Sequence, residues 1–284
     1  MTEASTGVDL VEWQLRVAAG EALPVQQKDL SITGHAFEAR LYAEDVPAGF
    51  LPATGMIDHL SFPGNARIDS GVAAGDEISP WYDPMIAKVT VQGPNRARAL
   101  QSLSAALDAT QVAGTVTNLG FLRQLARVPD FVAGDVDTGL IERHKDTLCA
   151  KPSPTPRDLA VAAATAAEVA DGPLTGFTLW QPLQKQIVLK EAVEETIAQL
   201  TVESANACSV QIGEVEIPLQ RRAGHWGLPA ILHNRRVTVF GTESFTFEVV
   251  NPLARSEAAM GGDTVLAPMP GLVRAVAVDV GRAV

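Results

Sequence analysis

The chain has 284 residues, of which 46% are hydrophobic and 19% are charged. This composition is typical of a globular protein and argues against disorder, and the length favours two domains. The formal net charge of −11 repels phosphate backbones and anionic lipids, so neither a nucleic acid nor a membrane is expected as a partner.

The sequence offers no sign of a disulfide framework or a metal site. Cys149 and Cys208 are far apart and form no CxxC pair, and the histidines lack the spacing of metal ligands. We therefore expect no metal in this chain and a reducing, cytoplasmic setting. The first residues do not resemble a signal peptide, which begins with basic residues followed by an apolar run.

The first half of the chain has the pattern of short strands between helices. Residues 9–19 predict a helix with Leu10, Trp13 and Val17 on one face. Period-two alternation between Asp29 and Val91, broken by Gly and Pro, predicts an antiparallel sheet. The predicted strands are 36–42, 58–62, 66–70 and 86–91, the following helices are 95–110 and 117–127, and this unit ends near Asp146.

The second half changes character after a Pro-rich linker at residues 150–156. Residues 157–170 are Ala-rich and predict a helix. Residues 177–250 then alternate in seven or eight short segments, which is typical of a small all-β barrel or sandwich. Residues 264–284 have β character again and open a third unit.

One predicted strand contains the residues best suited to chemistry. Period two places Glu38, Arg40 and Tyr42 on one face of the strand at 36–42. One interpretation is an exposed Glu38–Arg40 ion pair without functional meaning. The other is an arginine that binds or stabilises an anion and is oriented by its neighbours.

Two other segments are interpreted first as turns. In residues 80–88 (PWYDPMIAK), Asp83 between two prolines predicts a rigid turn in which its side chain accepts from backbone amides. Residues 267–273 (APMPGLV) predict a turn that opens a strand. Since no GxSxG or GxxxxGK[ST] motif occurs, no self-contained catalytic site is visible.

The motifs together resemble the α, biotin-carrying, subunit of biotin-dependent acyl-CoA carboxylases. The residues that carry this resemblance are 2–3, 6–15, 34–40, 43–45, 50–52, 55, 82–88, 117–118 and 267–271. The fold implied is α+β: the C-terminal part of a biotin carboxylase, an ATP-grasp enzyme, then a small β-barrel-like domain and the start of a biotinyl domain. The implied segments are 1–146 (biotin carboxylase part), 147–176 (linker with a helix), 177–253 (subunit-interaction barrel), 254–263 (linker) and 264–284 (biotinyl start).

The resemblance implies a reaction and a role for one residue. In the family, ATP and bicarbonate form carboxyphosphate, which carboxylates a ureido nitrogen of biotin. Negative charge develops on the ureido oxygen, and the arginine that stabilises it corresponds to Arg40. Glu38, Arg67 and Asp83 are expected as structural or subunit-contact residues.

The resemblance also implies cofactors and partners. The residues that bind the cofactors are not expected in this chain. Biotin, ATP and magnesium are the family's cofactors, but the ATP and magnesium residues correspond to sequence before Met1 and the biotinyl lysine to sequence after Val284. The 284-residue chain is therefore expected to be a fragment without carboxylase activity that cannot be biotinylated. The expected partner is a carboxyltransferase β subunit, within a hetero-oligomer that uses bicarbonate, ATP and an acyl-CoA.

The acyl substrate and the role of the chain leave alternatives open. Residues 10–21 most resemble the methylcrotonoyl-CoA carboxylase α subunit, with geranyl-CoA, propionyl-CoA and acetyl-CoA as alternative substrates. A different hypothesis is a non-catalytic assembly module that binds the carboxyltransferase through the β domain. A lipoyl-type carrier is disfavoured by the order of motifs between Gly34 and Lys88.

Overall fold

The computed structural model describes residues 1–251, which form two compact units that divide after Cys149. The expected linker at 254–263 and the expected biotinyl start at 264–284 lie outside the described residues. Within residues 1–251, no helix is both long enough and apolar enough to cross a lipid bilayer.

The first unit, residues 1–149, combines short helices with short antiparallel strands. Its helices are α1 (Thr2–Thr6), α2 (Leu10–Ala18), α3 (Arg96–Ala109), α4 (Leu119–Leu125), α5 (Pro129–Ala133), α6 (Leu140–Arg143) and α7 (Lys145–Leu148), with a 3-10 turn at Gln27–Asp29. Its strands are β1 (His35–Tyr42), β2 (Glu44–Asp45), β3 (Leu51–Pro52), β4 (Gly55–Met56), β5 (His59–Ser61), β6 (Arg67–Ser70), β7 (Glu77–Ile78), β8 (Met85–Gly93) and β9 (Gln111–Ala113).

A three-stranded antiparallel sheet in the order β1-β8-β6 organises this unit. Shorter ladders pair β2 with β3, β4 with β7 and β5 with β9. The antiparallel sheet and the helices expected from the sequence are therefore confirmed. The strand predicted at 58–62 pairs with β9 outside the main sheet, a partner that its own alternation could not indicate.

The hydrophobic core of this unit lies between one face of the sheet and α3. Leu41 and Val89 of the sheet and Leu103 and Leu107 of α3 are all at most 5% exposed. Asn95 caps α3 by accepting from the Arg98 N–H at 3.0 Å, as Asn does at helix starts. Burying each large apolar side chain contributes about 1.5–3 kcal/mol, so this packing fixes which face of the sheet remains polar.

The second unit contains α8 (Pro156–Ala166) and one antiparallel sheet. Its strands are β10 (Leu183–Glu191), β11 (Glu194–Ser204), β12 (Ala207–Ile212), β13 (Val215–Gln220), β14 (Ala230–His233), β15 (Arg236–Phe240) and β16 (Ser244–Val250). They are hydrogen-bonded in the order β13-β12-β11-β10-β16-β15-β14, so β13 and β14 are the edges of the ladder.

Helix α8 lies in the core of the second unit, whereas the sequence placed residues 147–176 in a linker that contains a helix. Residues 160–164 are consecutive and each is at most 1% exposed, and they belong to one cluster with Leu200, Val210 and Phe247 of the sheet. A helix that is apolar on all sides is a buried helix. Alanine side chains are small, so the strands can approach this helix closely on every side.

Candidate functional site

The sheet of the first unit turns one polar face away from α3. Antiparallel register sets Glu38 opposite Thr90 and Thr90 opposite Arg67. Two residues further along the strands, Arg40 is opposite Lys88 and Lys88 is opposite Asp69. We call the first set (Glu38, Thr90, Arg67) the helix row and the second (Arg40, Lys88, Asp69) the arginine row. Directly paired residues point to the same side of a sheet, so each row is a line of neighbouring side chains.

The helix row is in contact with α1. The Arg67 guanidinium contacts the carboxylate of Glu3 on α1 and lies 3.3 Å from the carboxylate of Asp69. Glu3 also accepts from the Leu10 N–H at 3.0 Å. This backbone hydrogen bond, followed by that from Arg67, holds the pKa of Glu3 below its usual value. Arg67 thus ties the start of α2 to the sheet through Glu3, a structural role within the chain.

The arginine row is more open. The Arg40 side chain is 60% exposed, and its Nε forms the expected ion pair with Glu38 Oε1, at 3.8 Å, which is longer than a hydrogen bond. Lys88 is half-buried and makes no ion pair with any residue in the described part of the chain. Asp69 lies across from Lys88, but its carboxylate is bonded to Arg67. Arg40 and Lys88 therefore face each other, and within residues 1–251 no carboxylate lies at hydrogen-bond distance from either side chain.

Asn118, just before α4, fixes the backbone that presents Arg40. Its buried side chain donates to the Arg40 carbonyl at 3.2 Å and accepts from the Tyr42 N–H at 3.0 Å. The Asn118 N–H donates in turn to the Tyr42 carbonyl at 3.1 Å. Because β1 is an edge strand of its sheet, Asn118 satisfies backbone groups there that no neighbouring strand pairs.

The ladder between β1 and β8 also shifts register directly after this point, between Leu41 and Tyr42. Such irregularities bend a strand locally and re-aim the adjacent side chains. Asn118 and the register shift together fix the end of β1 at which Arg40 is located.

The segment predicted as a turn around Asp83 is a turn. Asp83 Oδ1 accepts from the Met85 N–H at 3.0 Å, and Ser79 Oγ accepts from the Trp81 N–H at 3.1 Å. Nearby Glu44 has a raised pKa, first because it is partly buried and second because the Asp83 carboxylate repels its charge. Asp83 lies in the loop between β7 and β8 and not in either row of the polar face, whereas Glu38, Arg40 and Arg67 share that face.

No function was predicted for Lys88 or Asn118 from the sequence, although both lie in motifs that carry the family resemblance. The alternation of β8 shows that Lys88 is on the polar face, but only the register shows that it is opposite Arg40. Among residues 1–251, no group of three or more His, Cys, Asp or Glu side chains could hold a metal ion.

The second unit has a different feature, an exposed apolar segment that follows α8 and ends at the first residue of β10. We call residues 174–183 the apolar segment. Trp180 is 93% exposed and Leu179 is 77% exposed, and three further apolar residues of the segment, Leu174, Phe177 and Leu183, are exposed as well. Several exposed apolar residues close together in the chain are a feature of interaction surfaces, whereas single ones are common on any surface.

Comparison with known proteins identifies a protein family that the first unit matches. Residues 38–143 match the family described as "Biotin carboxylase C-terminal domain". This part of the chain is a biotin carboxylase C-terminal domain. The match includes the whole polar face and Asn118, and it begins at Glu38 of the helix row.

Curated relatives agree with this assignment. The "Methylcrotonoyl-CoA carboxylase subunit alpha, mitochondrial" of Arabidopsis thaliana is 51% identical over 156 residues, which is 54% of this chain and 21% of the relative. The "Biotin carboxylase" of Halalkalibacterium halodurans is 42% identical over 146 residues, 51% of this chain and 32% of the relative. The chain thus spans between a fifth and a third of the length of these relatives. Because the plant relative is named as mitochondrial, the expected cytoplasmic location stays a prediction.

A solved structure is also similar. The biotin carboxylase domain of Hydrogenobacter thermophilus 2-oxoglutarate carboxylase, in complex with MgADP, ADP and bicarbonate, has a TM-score of 0.51 and 35% identity. The similarity covers 53% of this chain and 34% of that one. The biotin carboxylase fold with antiparallel sheets and helices is therefore confirmed for the first unit. The expected barrel of the second unit stays a prediction.

Proposed function

We propose that this chain is part of the α subunit of a biotin-dependent acyl-CoA carboxylase, and that Arg40 stabilises negative charge during the carboxylation of biotin. The observation that supports this is the open arginine row inside a biotin carboxylase C-terminal domain, where Arg40 is 60% exposed on a fixed strand. An arginine stays protonated at neutral pH and offers a planar fork of donors to an oxyanion.

Biotin, when bound, supplies a ureido nitrogen that accepts the carboxyl group and a ureido oxygen on which charge develops. The polar face fits this group, since it offers an exposed guanidinium whose backbone Asn118 holds in place. Donors fixed before the reaction stabilise developing charge without reorganisation.

The substrate and the partner follow from the relatives. We infer 3-methylcrotonoyl-CoA as the acyl substrate because the plant relative at 51% identity is named for that reaction. Propionyl-CoA, acetyl-CoA and geranyl-CoA are the alternatives. We also infer that a carboxyltransferase β subunit binds this chain and uses the carboxyl group that biotin carries.

The test of the catalytic proposal uses the holoenzyme that contains this sequence. Arg40→Met should lower the rate of bicarbonate-dependent biotin carboxylation by about 100-fold or more, the usual effect of removing one oxyanion donor. Arg98→Met is the matched control, because Arg98 is an exposed arginine of α3 and the variant changes net charge equally. An Arg40→Met enzyme that is folded and retains the full rate would refute the proposal.

A second function, assembly, is favoured by the apolar segment. We propose that residues 174–183 bind the carboxyltransferase subunit, since Trp is frequent among residues that dominate binding energy. Trp180→Ser should weaken binding of the 284-residue chain to the purified partner by about tenfold or more in calorimetry. Val193→Ser is the control, because Val193 is 89% exposed but lies in the turn between β10 and β11. Equal affinity of both variants and the unmodified chain would contradict this proposal.

A further inference from the structure

We propose that Asn118 is a positioning residue of the carboxylation, which holds Arg40 in the geometry that the reaction needs. This inference deepens the proposed function and rests on it, since Arg40 is the residue that stabilises charge there. The Asn118 side chain is bonded to the backbone carbonyl of Arg40. Its effect on the reaction therefore passes through Arg40, and its loss should slow the reaction only where Arg40 is present.

Asn118 does not cap the helix that it begins. It is the N-cap residue of α4, where an asparagine side chain ordinarily accepts from a backbone N–H of the first helical turn, yet its side chain makes no such bond. The Thr117 hydroxyl accepts from the Leu119 N–H instead, at the long distance of 3.4 Å. A side chain that gives up its local stabilising bond for a distant one is expected at functional sites.

The Asn118 amide is used on β1 instead. It donates to the Arg40 carbonyl at 3.2 Å and accepts from the Tyr42 N–H at 3.0 Å, so one side chain holds the backbone on both sides of Leu41. The ladder between β1 and β8 shifts register within this stretch, between Leu41 and Tyr42. Because a register shift disrupts the ladder locally, and β1 has no neighbouring strand on its other side, the backbone of Arg40 depends on Asn118.

The helix behind Asn118 is rigidly packed. Leu119 and Phe121 of α4 belong to the hydrophobic clusters of the first unit and are at most 9% exposed. Arg123 of the same helix is 2% exposed and donates to carbonyls at the C-terminal end of α3. The backbone of Arg40 is thereby tied to α3 through α4. Such support matters because donors fixed in advance stabilise developing charge best, and a displacement of about 1 Å can lower a rate by about 100-fold.

A double-mutant cycle in the holoenzyme tests this inference, since it shows whether two residues act as a unit. Asn118→Ala should lower kcat for bicarbonate-dependent biotin carboxylation at least tenfold and change the KM for ATP by less than twofold. In the Arg40→Met background the same substitution should lower kcat by less than twofold, because the guanidinium that Asn118 positions is already absent. Asn65→Ala, at an exposed asparagine in the turn before β6, is the control and should leave kcat unchanged in both backgrounds.

Asn118→Asp is a second variant, which keeps the shape of the side chain if the alanine variant does not fold. Its ionised carboxylate accepts from the Tyr42 N–H but cannot donate to the Arg40 carbonyl, whereas the protonated acid can donate. Burial raises the pKa of a carboxyl. The kcat of this variant, divided by that of the unmodified enzyme, should therefore rise at least threefold from pH 8.5 to pH 6.

The outcomes separate this inference from the function it rests on. Full kcat in a folded Asn118→Ala enzyme would overturn the inference, and so would an equal fractional loss of kcat with and without Arg40. For Asn118→Asp, a kcat ratio that stays constant with pH would overturn it. Circular dichroism of each variant shows that it is folded. If Arg40→Met alone retains the full rate, the proposed function fails, whatever the Asn118 variants give.

Discussion

Asn118 Nδ2 donates to the backbone carbonyl of Arg40 across a distance of 3.2 Å, so a residue that starts α4 holds the strand residue proposed for catalysis. The same side chain accepts from the Tyr42 N–H. The position of Arg40 thus depends on a residue 78 positions later in the chain.

Replacing Asn118 should therefore destabilise the first unit. Asn118→Ala leaves the Arg40 carbonyl and the Tyr42 N–H without their partner, and we expect a loss of about 2 kcal/mol in the free energy of unfolding. Urea denaturation measures this loss. The control is Asn65→Ala, an exposed asparagine in the turn before β6, which should change stability by less than about 0.5 kcal/mol. Equal stability of the two variants would show that the buried amide contributes nothing.

Arg123 satisfies the C-terminal end of α3 from within the core. It is 2% exposed and donates to the carbonyls of Leu107 at 3.0 Å and Thr110 at 3.0 Å, and to that of Asp108 at 3.3 Å. The last carbonyls of a helix lack partners inside the helix, and here a cation near the negative end of the helix dipole supplies them.

Arg123→Met should lower the free energy of unfolding by about 3 kcal/mol, because several carbonyls lose their donor in a buried setting. Arg127→Met is the matched control. Arg127 binds the Asp108 carboxylate at 2.6 Å on the surface, and losing such an exposed pair should cost below about 1 kcal/mol. Thermal unfolding of both variants compares them, and a larger effect of Arg127→Met would contradict the structural role of Arg123.

The raised pKa of Glu44 predicts a pH-dependent effect. The folded chain holds the proton of this carboxyl more tightly than the unfolded chain, because burial and then Asp83 disfavour the ionised form. Stability therefore falls as pH rises from the unfolded pKa through the folded one. Glu44→Gln should stabilise the chain at pH 7, by below about 1 kcal/mol since the group is only partly buried.

This gain should disappear at pH values below both pKa values of Glu44, where the carboxyl is protonated in either state. Denaturation at pH 7 and in acid measures the difference between the variant and the unmodified chain. A gain that is the same at both pH values would exclude ionisation of Glu44 as its cause.

The two cysteines should differ in reactivity. Burial in the core of the second unit, with a smaller effect of Glu203, raises the pKa of the Cys208 thiol to about 12. Since the thiolate is the reactive form, Cys208 should resist iodoacetamide at pH 8 while the partly exposed Cys149 is alkylated. Mass spectrometry of the folded chain identifies the modified residue, and denatured protein is the control in which both react. Rapid alkylation of Cys208 in the folded chain would be inconsistent with its burial.

Much of the first unit could be predicted because its local patterns are strong. Asn95 followed by an apolar stripe predicted α3, and the alternation around Arg40 predicted both β1 and the face on which Arg40 lies. The family motifs around Arg40 indicated which of the charged strand residues to consider first. Lys88 could be assigned to a strand but not to a partner, since strand pairing joins segments distant in the chain.

In the second unit, by contrast, the position of a helix could not be predicted from the local sequence. The Ala-rich helix α8 was recognised as a helix, but it was interpreted as part of a linker because alanine gives only a weak hydrophobic signal. Its position in the core follows from the strands that surround it, and those begin about 17 residues after the helix ends.

The sequence by itself determined the secondary structure around Arg40, the face on which Arg40 lies and the family of the first unit. Periodicity and turn residues act over a few positions, so they can be recognised without knowledge of the fold. Only the tertiary structure decided that Lys88 faces Arg40, that Asn118 holds the strand edge and that α8 is buried. These contacts depend on strand register and packing between distant segments, which local sequence patterns do not specify.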